Sequence, residues 1–97
     1  MRIIGKQALR AFWKRHPRAK RPLEAWHQEV ARVDWATPSE VKPQFRSASV
    51  LQDNRVAFNI EGNHYRLVVK INYPYPIVNI RFVGTDAHYD TLDVTTI

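Results

Sequence analysis

Residues 55–70 alternate so regularly that only one strand pairing keeps their apolar side chains together. Val56, Phe58 and Ile60 alternate with Arg55, Ala57, Asn59 and Glu61. Beyond Gly62-Asn63, Tyr65, Leu67, Val69 and Ile71 alternate with His64, Arg66, Val68 and Lys70. A two-residue Gly-Asn loop favours a type I′ or II′ turn, which sets the register. Glu61 then faces His64, Asn59 faces Arg66, Ala57 faces Val68 and Arg55 faces Lys70, while Ile60, Phe58 and Val56 meet Tyr65, Leu67 and Val69. A slip of one residue would invert every side chain, so the agreement of the two alternations argues for this hairpin. Every apolar residue except Ala57 and Val68 falls on one side. The other side carries Arg55, His64, Arg66 and Lys70. Side chains two residues apart on a strand are roughly 6.8 Å from each other, close to the spacing of successive phosphates on an extended nucleic-acid strand.

A chain of 97 residues buries about 65% of its unfolded surface, enough for one small core without staples. With no cysteine, disulfides, iron–sulfur clusters and thiolate zinc sites are excluded. The opening Met1-Arg2-Ile3-Ile4-Gly5 is too short for a signal peptide and no apolar run approaches a membrane span, so a soluble, cytoplasmic protein without membrane contact is expected. The net charge of +6 is uneven: residues 1–21 hold eight Lys or Arg and no acid, and residues 83–97 hold Asp86, Asp90 and Asp93 and no base. Such asymmetry suits a polyanionic partner, although a solvated helix face with a basic loop would look the same.

Leu9, Phe12 and Trp13 mark an amphipathic helix over Gly5 to Arg15, ended by His16-Pro17 because the residue before proline avoids helical geometry. Pro22 and Glu24 open a second helix with Leu23, Trp26, Val30 and Val33 as its stripe, and Thr37-Pro38-Ser39-Glu40 starts a short piece cut off by Pro43. Ser49 to Leu51 reads as an edge strand, Gln52-Asp53-Asn54 as a turn and Ile77 to Val83 as a last strand. Gly84-Thr85 breaks that strand, and Thr85 caps a short C-terminal helix through Tyr89. The expected fold is α+β: two N-terminal helices packed on one face of a three- to four-stranded antiparallel sheet, with a short C-terminal helix. The opposite face would stay accessible and gather Arg55, Asn59, His64, Arg66, Lys70, Asn79 and Arg81.

Metal chemistry finds little support, since His16, His27, His64 and His88 lie on different elements without HxxxH or HExxH spacing. No Gly-rich phosphate loop or nucleophile elbow is present. Trp13, Trp26 and Trp35 sit at core spacing, and His27 flanks the second helix's stripe as a partly buried structural histidine. Arg66 stands out: a cation in a central strand, between apolar residues, needs a reason, and anion binding is the obvious one. Cleaving RNA without a metal requires a 2′-OH oriented for in-line attack on its own phosphate and cations that stabilise the developing charge. The basic face has those parts, but composition alone does not separate cleavage from binding.

The string Phe58-Asn59-Ile60-x-Gly62-Asn63-x-Tyr65-Arg66-Leu67-Val68-Val69-Lys70-Ile71, with Ile80-Arg81-Phe82-Val83-Gly84-Thr85 and Tyr89-Asp90, resembles the HigB-type toxins of the RelE/ParE superfamily of bacterial toxin–antitoxin modules. The similarity runs nearly end to end and makes residues 1–97 a single toxin domain. The resemblance implies an mRNA interferase: an RNA endonuclease that cuts translated messages on the ribosome without metal or other cofactor and so inhibits translation. Its partners would be the ribosome, mRNA and a helix-turn-helix antitoxin of the HigA type. Arg66 matches the strand arginine that contacts the scissile phosphate. Lys70 and Arg81 support it by strand parity, and Arg55 and His64 extend the RNA-binding row. In the family's Thr-His-x-x-Tyr signature, Thr85 and Tyr89 are present but Asp86 fills the histidine slot. An aspartate cannot act as a cationic acid and opposes an incoming phosphate. His88 is two residues on, about 200° around a helix. The catalytic candidates are therefore Arg66, Asp86, His88 and Tyr89, in a site that Asp86 attenuates. A non-cleaving RNA- or ribosome-binding module and a ParE-like inhibitor of DNA gyrase are the rival readings.

Overall fold

The computed structural model describes all 97 residues. Strand β1 (Arg2–Ile4) leads into helices α1 (Lys6–Arg15) and α2 (Lys20–Ala31), joined by a 3-10 turn at Pro17–Ala19. A second 3-10 turn, Pro38–Glu40, runs into α3 (Val41–Gln44), and then come β2 (Ser49–Val50), β3 (Arg55–Ile60), β4 (Tyr65–Asn72), β5 (Ile77–Thr85) and α4 (Asp86–Tyr89). Thr37 and Glu40 form a reciprocal capping box, so two otherwise unpaired N–H groups are satisfied where the sequence places a helix start. Pro43 lies inside α3 rather than ending it, because its missing N–H falls in the first turn, where none is required.

The five strands are ordered β1-β5-β4-β3-β2. The antiparallel part agrees with the sequence reading residue by residue: Arg55 pairs with Lys70, Phe58 with Leu67, Asn59 with Arg66 and Ile60 with Tyr65. The expected three to four strands become five because β1 adds to β5 in parallel, Arg2 opposite Ile77 and Ile4 opposite Asn79. Three residues are too few to show a period, and a parallel partner distant in sequence leaves no local signal. Gly5 then turns the chain into α1 at φ 105°, and a Cβ there would sit 3.2 Å from Ile80 Cβ. The left-handed conformation and the close approach both call for glycine.

Both hairpin turns use left-handed residues, as tight hairpin connections favour. In the first, Asp53 and Asn54 have φ 58° and 60°, and in the second Glu61 and Gly62 have φ 50° and 60°. The second loop therefore comprises Glu61 to His64 and not Gly62-Asn63 alone. Glu61 and His64 do not extend the ladder, and only the His64 N–H reaches the Glu61 carbonyl, at 3.2 Å. Arg18 on the turn before α2 pairs with the Glu61 carboxylate and holds this uncommon backbone.

The helices and α3 bury one sheet face. Phe58 is the hub, with the rings of Trp26, Phe45 and Trp35 at 5.4, 5.1 and 6.3 Å. Leu9, Leu23, Val30 and Leu67 are wholly buried around it; Trp26 and Trp35 belong to the same cluster and Trp13 packs against it, although Trp35 lies beyond the end of α2 and not at a helical position. Ala57 and Val68 are also buried but stand outside that cluster. They face the other way, on the side that the C-terminal segment crosses. It is anchored at one end by His88, whose ring lies edge-on to Phe82 at 5.1 Å, and at the other by the Ile97 carbonyl, which accepts from Arg55 Nε at 2.8 Å. With Ala57, Val68 and Arg55 all buried, the face opposite the helices is only partly accessible.

Strand β5 departs from simple alternation in two ways. A bulge shifts the β4–β5 register between Val68 and Val69, so Phe82 pairs with Val68 and Ile80 with Val69, leaving Arg81 unpaired. Phe82 thus moves to the side of Arg66, whereas uninterrupted alternation places it with Ile80. Gly84 also continues β5 instead of breaking it, directly opposite Arg66. The Phe82 ring folds over it: a Cβ on Gly84 would lie 2.4 Å from Phe82 Cζ. We expect Gly84→Ala to displace this ring from α4 and to destabilise the fold by about 1–3 kcal/mol, the usual range for overpacking. Urea unfolding of Gly84→Ala, of Phe82→Ala and of the double variant checks this. The double variant should lose less than the sum of the two single losses, and additive losses would show that the ring does not sit over Gly84.

Candidate active site around Arg66

Arg66 emerges from the middle of the sheet, and three elements fix its side chain. From β3, directly across the ladder, Asn59 Oδ1 accepts from Nη1. From α4, Asp86 Oδ1 accepts from Nε at 2.8 Å. The Tyr89 ring lies beneath, with its centroid 5.4 Å from Cζ, a distance at which a ring face attracts a cation. Asn59 is itself oriented by the turn, since its Nδ2 donates to Asn63 Oδ1 at 3.1 Å. The guanidinium is thus held at two nitrogens, and Nη2 has no protein partner. The side chains of Arg66 and Asp86 are 23% and 42% exposed, so the pair is open to solvent and to a ligand.

Helix α4 is short, and its start is what positions Asp86. Thr85 is extended (φ −72°, ψ 158°) and its Oγ1 accepts from the His88 N–H at 3.1 Å, which is the cap expected from sequence. Asp86 is the first helical residue, with its N–H donating to the His64 carbonyl at 3.1 Å, so the hairpin turn also anchors the helix. Asp86 consequently points at Arg66, as a carboxylate in that slot should. His88 lies on a different side of α4, against Phe82, and Tyr89 returns to Arg66. The single turn therefore separates Asp86 and Tyr89 from His88, in keeping with the helical spacing.

The remaining basic residues do not form one row. Arg55, read as an accessible RNA contact, is 5% exposed, and Asp53 Oδ2 at 2.9 Å and the Ile97 carbonyl take up its guanidinium. Burial of a cation is tolerable here because both partners compensate it, and the C-terminal segment that supplies one of them also supplies the cover. Lys70 is half-buried and reaches the same Asp53 oxygen at 3.1 Å. The Lys70 ammonium, followed by the Arg55 guanidinium, holds the Asp53 carboxyl below the usual carboxylate range. Arg81 is exposed at the bulge, so it does not share the parity of Lys70 that uninterrupted alternation gives it. His64 is exposed in the turn. Of the eight candidate residues, Arg66, Asp86 and Tyr89 converge, His88 stands beside them, His64 touches them through its backbone, and Arg55, Lys70 and Arg81 lie elsewhere.

Asn59 and Asn63 are the site residues that the sequence reading left without a role. Asn59 sits opposite Arg66 in a register legible from the alternation, and an amide facing a cation is the signal that could have found it. His27 is half-buried on α2, with its pKa lowered by burial and by the charges of Lys6 and Arg10 on α1, consistent with a structural histidine. No helix is long and apolar enough to cross a membrane.

Comparison with known proteins agrees with this geometry. Residues 19–92 match the profile of HigB_toxin, the RelE-like toxic component of a toxin–antitoxin system. The chain is also 28% identical over 92 residues to the mRNA interferase toxin HigB of Escherichia coli K12, covering 93% of this chain and 88% of the relative. The mRNA interferases HigB of Escherichia coli O157:H7 and Shigella flexneri are similar to the same extent. The stretch 19–92 includes the whole hairpin, β5, and the Thr85-to-Tyr89 turn that aims Asp86 at Arg66. A sheet with helices on one face, a tethered strand arginine and a match over most of its length together place this chain in the HigB_toxin family of RelE-like toxins from toxin–antitoxin systems.

Proposed function

We propose that this toxin is an mRNA endonuclease that cleaves translated messages at the ribosome and is neutralised by a HigA-type helix-turn-helix antitoxin. The observation that carries this reading is the Arg66 side chain, held at Nε by Asp86, at Nη1 by Asn59 and from below by Tyr89, with Nη2 left for a ligand. A guanidinium fixed in this way needs no reorganisation to meet the charge that develops on a phosphate, which is where a preorganised donor contributes most. The reaction is attack by a ribose 2′-OH on the adjacent phosphorus: the O2′–P bond forms and the P–O5′ bond breaks, leaving a 2′,3′-cyclic phosphate and a 5′-OH. The 2′-OH proton passes to water, and the departing 5′-oxygen takes one from water. Arg66 stabilises the charged phosphate and Tyr89 supports Arg66. Asp86 neutralises part of the Arg66 charge at rest, which makes the site attenuated but competent.

The relatives named as mRNA interferases support this reading. So does the position of Arg66 within the sheet, flanked along β4 by the buried Tyr65 and Leu67. The test is to incubate the purified protein with a defined message, with and without programmed ribosomes, and to map 5′ ends by primer extension. Discrete cuts that require ribosomes and disappear on adding the cognate antitoxin are expected. Growth arrest without any cut would support the non-cleaving module, and inhibition of supercoiling would support the gyrase reading.

A further inference from the structure

At the end of β4 remote from Arg66, a depression of about 350 Å³ is lined by Asn54, Lys70, Ile71, Asn72, Pro74 and Asn79. Three elements build it. Asn54 belongs to the β2–β3 turn, with φ 60°, and its carbonyl accepts the Ile71 N–H at 2.8 Å, so the turn is stitched to β4. Asn79 pairs with Lys70 across the β4–β5 ladder, and Asn72 closes β4 just before the Tyr73-Pro74-Tyr75-Pro76 loop. The amides of Asn54, Asn72 and Asn79 hydrogen-bond no protein side chain, and Lys70 reaches only Asp53. Tyr75, next to the Pro74 wall, is 72% exposed, the largest exposure of any big hydrophobic side chain in the protein.

The chemistry of this lining discriminates among ligands. A bare phosphate accepts hydrogen bonds and would leave the carbonyl ends of three amides unused. An amide offers a donor and an acceptor side by side, which matches the edge of a nucleobase. Lys70 supplies a point charge for the phosphate attached to that base. Its pairing with Asp53, whose side chain is 63% exposed, is of the weak solvent-screened kind that a phosphate displaces readily. An exposed tyrosine that directly follows the lining residue Pro74 in sequence offers what single-stranded RNA uses most, a flat ring on which an unpaired base stacks. The residues between Arg66 and Lys70 place the two cations about 13.6 Å apart along the strand, or two intervals of the phosphate spacing that the alternation suggested.

We propose that this depression is a flanking-nucleotide subsite, which takes a base of single-stranded RNA against Asn79, Asn72, Asn54 and Tyr75 and its phosphate on Lys70, two steps from the nucleotide at Arg66. The inference rests on the reading of the chain as an RNA-directed toxin and names the part of that surface that selects sequence.

The experiment measures anisotropy of fluorescein-labelled, uncleavable 2′-O-methyl hexanucleotides of A, C, G or U with the full chain and with Tyr75→Ala, Tyr75→Phe and Asn79→Ala. Ribosome-dependent cleavage by the same proteins and by Arg66→Ala is followed in parallel. Tyr75→Ala should weaken binding roughly 5- to 100-fold, the range of one base–aromatic stack, and Tyr75→Phe should restore it. Asn79→Ala should flatten the ranking of the four oligomers. These side chains lie on the surface or at its edge, and unchanged melting temperatures confirm that the variants fold. If the wild-type chain binds none of the oligomers, or Tyr75→Ala and Asn79→Ala bind as it does, the subsite is overturned, whatever Arg66→Ala does to cleavage. If Tyr75→Ala weakens binding while no protein cuts RNA, the subsite stands and the endonuclease reading falls.

Discussion

Arg66→Ala is expected to abolish ribosome-dependent cleavage and growth arrest while leaving the fold intact. Removing one directed donor to a developing oxyanion costs about 2.7–4 kcal/mol, or a 10²- to 10³-fold fall in rate. Arg66 is the one cation with two side-chain tethers and a free nitrogen at the site, so no neighbour can substitute: Arg55 and Lys70 pair with each other at the other end of the β3–β4 ladder, four residues from Asn59 and Arg66. The loss in stability should be no more than about 1 kcal/mol. The ion pair it breaks is partly exposed, and water can solvate the Asn59 and Asp86 groups left behind. Single-turnover cleavage on programmed ribosomes together with urea unfolding separates the outcomes. A variant that no longer folds would make Arg66 a structural residue, and one with full activity would remove it from the site. Arg66→Lys is the informative companion. It keeps the charge but not the fork held by Asp86 and Asn59, and should recover only a minor part of the rate.

The second large effect is expected in the opposite direction. Asp86→His should raise RNA cleavage tenfold or more, roughly the low end for a general acid or base, and should increase toxicity in cells lacking the antitoxin. Two consequences of the substitution add. It removes the carboxylate that accepts from Arg66 Nε at 2.8 Å, returning the full guanidinium charge to phosphate. It also places beside the scissile bond a group that exchanges protons near neutral pH. The backbone tolerates the exchange, because Asp86 owes its position to the Thr85 cap and to the His64 carbonyl rather than to its own side chain. Growth arrest on induction and primer-extension mapping of a translated message provide the measurement. Equal toxicity of the two proteins would show that Asp86 is no catalytic defect, and attention would pass to His88 and Tyr89. Asp86→Asn divides the two contributions. It relieves the charge without supplying a proton donor, so a gain there as large as with histidine would assign the whole effect to electrostatics.

On the proposed reading, the Asp86–Arg66 pair is nearly neutral for folding and costly for cleavage. On a partly exposed surface the bond to Arg66 contributes little to stability, yet it sits at the atom with which a phosphate would compete. The same logic applies at the other end of the sheet, where Asp53 holds Arg55 and Lys70 together. There the outcomes differ. Arg55 is sealed beneath the C-terminal segment, whereas Lys70 remains half-open beside the asparagine-lined depression.

What the sequence determined by itself was local and periodic. Alternation with a period of two places Asn59 opposite Arg66 and Phe58 opposite Leu67, since any other register would expose the apolar set. The Thr85 cap, the Thr37 capping box and the stripes of α1 and α2 are likewise written within a few residues of where they act. Ala57 and Val68 were the two apolar residues on the polar side of the hairpin, and the expectation that this face stays accessible passed over them, although both are buried. The tertiary structure alone decided the rest. The parallel β1–β5 pairing, the burial of Arg55 under a chain segment that ends at Ile97, and the bulge that carries Phe82 over to Arg66 each depend on groups distant in sequence. No local pattern encodes these, because a bulge is one extra residue whose position is set by packing on both strands, and a buried cation is tolerated only where remote partners arrive to meet it.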